Sequence, residues 1–344
     1  MLLLSIATVL TIRNADAEDR VSIRVPTQSV LLPLRGMVVD YTGETLTLRT
    51  GPMADVRKIP TADVVTVETD YQEAHSRGRD LFAAGKIHEA EEQFQLALEE
   101  EERPWVRREL LAALVRCALF EDDLRRAALR FLPIVESDPR TMYWGLIPLS
   151  WGVDAVRLPT EAEARTLQVI GTPVAKLIAT SWNLERNGRR HAESEAALLT
   201  LASDADPTLQ RLAQMQLWRV RLSTNTVTPN ELRRWEAFAE DLPEALRTGA
   251  HVLIGRGAMQ QKDALRAAAE WMWLPLQHGE HRGLAAWGQV RAAEAMQAAG
   301  DSVAAGFLAR ETIHRFPAKQ AAKQAEVLLN SGADDQPRVL VPRQ

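Results

Sequence analysis

The sequence predicts a mainly α chain: an α-α superhelix of about seven helix pairs, preceded by a small all-β, barrel-like domain. Three observations predict it. Residues 20–70 hold about five short runs that alternate with period two and carry β-branched residues. From Tyr71 to Leu329 the apolar residues recur every three to four positions, the helical period. The helical part also repeats itself at intervals of about 36 residues, a period that signals stacked helical units.

Composition bounds the function classes. With 344 residues, 46% hydrophobic and 25% charged, the chain can bury a sizeable core as two domains or one elongated array. The net charge of −5, with acids and bases interspersed, argues against a nucleic-acid footprint. A single cysteine, Cys117, excludes an internal disulfide and a cysteine-rich metal site. Its neighbours Leu114, Val115 and Ala118 predict inert burial.

The elements follow in order. Residues 1–17 read as an export signal: Met1 to Ile12 is apolar but shorter than the ~20 residues needed to cross a bilayer. Asn14-Ala15-Asp16-Ala17 then supplies an A-x-A ending of the kind signal peptidase cuts, although a basic n-region is missing. The expected mature chain begins near Glu18, is periplasmic or otherwise exported, and carries no transmembrane segment. No cysteine follows the apolar run, so no bacterial lipid anchor is expected. A cytoplasmic location is the alternative.

Residues 18–70 contain VSIRV, LRGMVVDY, ETLTLRT, VRKIP and DVVTVET, with a hairpin turn at Asp40 to Glu44 and a loop at Thr50-Gly51-Pro52. So many short strands in so short a span predict a closed or partly open barrel, because closure removes exposed edges. In strand count and turn placement the segment resembles the Sm-like and Src-homology-type small barrels. It has no aromatic stacking residue beyond Tyr41 and no basic stripe, which favours a structural or protein-contact module over RNA binding.

Residues 71–141 hold the two clearest units. In the first, Ala74, Gly78 and Leu81 share a helix face, Gly85 closes the helix, and Ala90, Phe94, Ala97 and Leu98 share a face of the second helix. Gly78 costs a helix about 1 kcal/mol relative to Ala, so it marks close approach of a neighbouring helix. Here the sequence resembles the tetratricopeptide repeat, whose small-or-Gly, large, Gly, Ala, aromatic, Ala pattern is met by Gly78, Leu81, Gly85, Ala90, Phe94 and Ala97. The closing proline of that family would fall at Glu102, whereas Pro104 comes two residues later. The second unit matches at Leu111, Leu114, Ala118, Ala127, Phe131, Ile134 and Pro139, with Val115 in place of Gly.

Residues 250–330 hold two more units and a capping helix. One has Leu253, Gly257, Ala269, Trp273 and Leu276; the other has Ala293, Met296, Gly300, Ala305, Thr312 and Pro317. An ungapped echo between RFLPIVESDPR, from Arg130, and MWLPLQHGEHR, from Met272, sets the register between the halves at 142 residues, close to four periods of about 36. Residues 142–249 should therefore hold three degenerate helix pairs, one of them around an Asn187-Gly188 turn. The stretch TMYWGLIPLSWGVDAVRLP, residues 141–159, breaks the register and is apolar enough to need covering, as a plug between the two halves or as a partner site. AAKQAEVLLN caps the array, and residues 331–344 read as a disordered tail.

No catalytic constellation emerges. His278, Glu280 and His281 place two histidines three apart in an inter-repeat turn, where a zinc helix needs them four apart. His88 with Glu89 and Glu91 suits a helix start. Gly255-Arg256-Gly257 lacks the preceding strand and third glycine of a phosphate loop. Neither a metal nor another cofactor is expected, and the chain is read as non-catalytic.

Six tryptophans, Trp182, Trp218, Trp235, Trp271, Trp273 and Trp287, lie in the C-terminal half. Most should fill gaps between helices, but tryptophan also dominates interface hot spots, so Trp271 and Trp287 are candidate partner contacts. The resemblance implies a scaffold that binds a protein or peptide in the concave face of its superhelix, in cell-envelope assembly or in support of a membrane complex. The alternative is a carbohydrate-binding or hydrolase accessory that uses the Trp-rich half.

Overall fold

The computed structural model describes residues 18–25, 30–51, 55–154, 157–186, 189–277, 279, 281–317 and 319–334. The expected export signal, the Asn187-Gly188 turn, His278, Glu280 and residues 335–344 lie outside them.

Five strands, β1 (Asp19–Arg24), β2 (Leu31–Tyr41), β3 (Thr45–Thr50), β4 (Asp55–Pro60) and β5 (Val64–Glu68), form one antiparallel sheet in the order β4-β3-β2-β1-β5. The sheet does not close into the expected barrel: β4 and β5 are its two edges. The physical reason is that its apolar face has another cover. Val21, Val38, Leu46 and Leu48 are buried in one cluster with Phe94, Trp105, Val106 and Leu110 of the first helices. A sheet whose apolar side packs on helices has no need to curl onto itself. Trp105 Nε1 donates to the Val38 carbonyl at 3.3 Å, and Arg108 pairs with Asp40 and donates to the Tyr41 carbonyl at 3.1 Å. At the β2–β3 turn, Gly43 donates to Asp138 Oδ2 at 2.8 Å and lies so close to the Arg140 carbonyl that no Cβ would fit.

Fourteen α-helices follow among the described residues. The first four are α1 (Glu73–Ala83), α2 (Ile87–Glu100), α3 (Pro104–Phe120) and α4 (Leu124–Ser137). The middle holds α5 (Glu161–Ile170), α6 (Pro173–Asn183), α7 (Arg189–Leu201), α8 (Pro207–Ser223) and α9 (Pro229–Glu240). The last five are α10 (Thr248–Gln260), α11 (Ala264–Gln277), α12 (Arg282–Ala298), α13 (Ser302–Arg315) and α14 (Gln320–Asp334). The middle therefore has five helices and not three pairs. Among the described residues of 142–160 the one regular element is a short 3-10 turn at Met142–Leu146, in keeping with the prolines and glycines there. The capping helix runs to Asp334, four residues into the stretch expected to be tail.

The four clear units share one turn. The residue that closes the first helix of each pair is left-handed: Gly85 (φ 75), Asp122 (φ 61), Lys262 (φ 61) and Gly300 (φ 88). In three of them the next residue is an aspartate whose carboxylate accepts from the third residue onward: Asp123 from Arg126, Asp263 from Arg266 and Asp301 from Ala304. These turns correct the register of the third unit. Lys262 lies 140 residues beyond Asp122, so the sequence echo at 142 is two residues out of step with the helices. The residues equivalent to Gly78, Ala90 and Phe94 are thus Gly255, Ala267 and Trp271, not Gly257, Ala269 and Trp273. A Cβ on Gly78 would meet the Phe94 ring at 2.7 Å, and one on Gly255 would collide with the Trp271 ring. Ala267 is buried, whereas Ala269 is exposed.

The array closes on itself. α12 lies against α3, the Arg282 guanidinium sits 4.8 Å from the Phe120 ring centre, and Lys319 Nζ pairs with Asp122 and donates to the Phe120 carbonyl at 2.9 Å. The interior is filled by the extended residues 147–154. Trp182 Nε1 donates to the Pro148 carbonyl at 3.0 Å, Gln216 and Arg219 both donate to the Ser150 carbonyl, and Arg256 donates to the Gly152 carbonyl at 2.9 Å. Trp287 Nε1 donates to Asp154 at 3.0 Å, and the Trp151 ring occupies the space above Gly249.

Candidate functional site

Two helices that open successive pairs place polar groups at matched spacing. On α1, His75, Arg79 and Phe82 are four and three apart; on α3, Glu109, Ala113 and Arg116 are also four and three apart. Each set lies on one helix face. Together with Phe94 of α2 they line a cavity of ≈ 260 Å³.

His75 is the polar centre of this cavity and is only 1% exposed. Its ring lies 4.2 Å from the Tyr71 ring and meets Phe94 edge-on at 6.2 Å. Nε2 stands 3.7 Å from Glu109 Oε1, while Tyr71 Oη donates to Glu109 Oε2 at 2.9 Å. Nδ1 is buried and has no hydrogen-bond partner in the protein. Burial, helped by the nearby Arg79 charge, lowers the His75 pKa to about 4, so the imidazole is neutral at pH 7. Burial also raises the Glu109 carboxyl above its ordinary value, against the opposing hydrogen bond from Tyr71. The Tyr71 hydroxyl is raised by burial first and by Glu109 second. In the neutral ring one nitrogen donates and the other accepts, and Nδ1 has no protein partner for either role.

Arg116 joins this cavity to a second, more open cleft of ≈ 390 Å³ between α3, the 142–146 turn and the C-terminal half. Its guanidinium lies 5.9 Å from the Tyr143 ring centre, and Met142, Glu244, Gln277 and His281 lie farther along. His281 Nε2 is 3.3 Å from the Gly145 carbonyl oxygen. The two cavities adjoin at Arg116, and their linings together offer apolar side chains, convergent polar groups and charges of both signs, an arrangement suited to binding an extended segment.

Most residues predicted to define the repeats are buried: Gly78, Ala90, Phe94, Ala97, Ala127, Phe131, Gly257, Ala293 and Ala305. Leu81 is half-buried, while Gly85, Gly300, Pro139 and Pro317 sit exposed at helix ends. Trp271 and Trp287 occupy core positions at 4 and 5% exposure and meet edge-to-face at 5.4 Å, which leaves no ring face for a partner; Trp273 is 41% exposed and stacks on His251. Trp218 and Trp235 are also buried, stacked on each other at 4.7 Å. Sequence reasoning missed His75, Glu109 and Arg116. A signal existed, since His75 shares a helix face with Gly78 and Phe82 and so had to be covered.

Among the described residues no helix is long and apolar enough to cross a membrane. No protein-family profile, curated protein or solved structure matches this chain.

Proposed function

We propose that this protein is an exported, non-catalytic scaffold, tetratricopeptide-like in its helical units, that binds a protein or peptide segment in the two adjoining cavities along α1, α3 and the 142–146 turn. The observation that carries the reading is their shared lining: rigid helices hold His75, Glu109 and Arg116 among apolar side chains. The interior of the closed array is occupied by residues 147–154, so the partner's place is this side and not the centre. Export rests on the apolar Met1–Ile12 run and the A-x-A ending. The small sheet serves as a buttress for the first helices.

The test is capture from a cell-envelope extract on the immobilised full chain. The expected result is a retained protein whose yield drops when Arg116→Glu is used. Retention unchanged by that substitution would place the site elsewhere, and no specific retention would count against the scaffold. A processed chain whose mass does not begin near Glu18 would remove the export part.

A further inference from the structure

We propose that the solvent-facing side of the five-stranded sheet docks on a lipid bilayer with anionic headgroups. This surface contributes no residue to the two cavities beside α1 and α3 and does not depend on what they bind.

Strand register builds the surface. Side chains alternate along a strand, and residues opposite each other on neighbouring strands share a face. Val21, Ile23, Val38, Leu48 and Ile59 pack toward the helices. Their strand neighbours Arg20, Arg24, Met37, Arg49 and Lys58 therefore face solvent, and all are exposed. Arg35, also exposed, stands directly opposite Arg20. Cations scattered along the sequence are thus gathered onto one face of β1, β2, β3 and β4. Arg20 meets Glu68 at 3.7 Å, with both side chains more than half exposed. Among the described residues, the side chains of Arg24, Arg35, Arg49 and Lys58 make no ion pair or hydrogen bond. Like charges placed as Arg20 and Arg35 are destabilise a sheet, and in a chain of net charge −5 their gathering on one face suits an anionic partner.

What lies between the charges selects the kind of anion. Met37 and Val56 flank Arg49 in one cross-strand row and are more than half exposed; Leu31, opposite Arg24, is exposed as well. Binding at a bilayer interface draws on both features, apolar side chains at the headgroup boundary and cations on the headgroups. Proteins that hold single-stranded nucleic acid stack its bases on aromatic rings, whereas Tyr41, the one aromatic residue of the sheet, packs toward the helices. Cations spread over four strands also match a plane of headgroups better than one extended peptide.

Flotation of the full chain with vesicles tests this, comparing phosphatidylcholine alone with phosphatidylcholine and phosphatidylglycerol in equal parts. The apolar Met1–Ile12 run adds to both alike, so the difference reports charge. Tighter binding to the anionic vesicles is expected, and raised salt should abolish the difference. Each cation near an anionic surface is worth ~5-fold in partitioning, so Arg35→Gln with Arg49→Gln should weaken that binding ~25-fold. The same loss of charge at exposed sites on α9 and α13, Arg234→Gln with Arg310→Gln, should change it little. The urea midpoint of the sheet variant should not fall, because Arg35→Gln relieves the repulsion from Arg20, so lost binding would not mean unfolding. Equal binding to both kinds of vesicle, or equal losses in the two double variants, would overturn the assignment. So would a preference for a single-stranded oligonucleotide that the sheet variant loses, which would give this face to nucleic acid.

Discussion

At the scale of the residue, His75 decides most. A buried imidazole whose pKa falls from 6.5 to about 4 binds its proton more weakly in the folded chain than in the unfolded one. Its contribution is therefore fully present above pH 6.5 and is lost as pH falls from 6.5 toward 4, by up to ~3 kcal/mol. Glu109 is raised and works in the opposite direction, so the wild-type curve alone mixes the two. Comparison with His75→Phe separates them: urea midpoints at pH 7 and pH 4.5 should differ clearly less in the variant. Equal losses in both proteins would show that His75 does not titrate in this window. Cys117 was readable from its apolar neighbours, and burial does push its thiol up to about 12. The burial of His75 was signalled by the helix face it shares with Gly78 and Phe82, but its meeting with Glu109 was not, because that depends on how α1 and α3 are placed, which no local spacing encodes.

At the scale of the element, the strands and the paired helices were legible because period two and period 3.6 are local properties. The closure of the sheet was not, since it depends on which helices cover the apolar face. The third unit shows how a register can slip. The echo around Pro133 and Pro275 is a true likeness of sequence, but Pro275 lies two residues farther along α11 than Pro133 lies along α4. The turns carry the phase more reliably, because a left-handed residue and a capping aspartate have fixed places at a helix boundary. Lys262 occupies such a left-handed site at the surface, where a side chain costs ~1 kcal/mol and glycine does not. Lys262→Gly should accordingly stabilise the protein by ~1 kcal/mol in a denaturant titration, and Gly300→Ala should destabilise it by a similar amount. A destabilised Lys262→Gly would mean that the lysine makes a contact worth more than the backbone strain.

At the scale of the whole molecule, the sequence set residues 141–159 apart but could not show where they run. Residues 147–154 of this stretch thread the middle of the array and hydrogen-bond to α6, α8, α10 and α12 in turn. Arg219 illustrates the cost of such an arrangement. Its buried guanidinium holds the Ser150 and Ser181 carbonyls and pairs with Glu185, and burial lowers its pKa to about 10. Linear stacks of helix pairs touch only their neighbours, so they melt in stages and survive the loss of an end. Here the thread ties residue 148 to residue 182 and residue 154 to residues 287 and 324, and Lys319 joins the last helices to the first. Such ties make unfolding one cooperative event: calorimetry should show a single sharp transition for the helical part, and a chain cut after residue 249 should fail to fold. The paired helices of a solenoid are retained, but their independence of one another is gone.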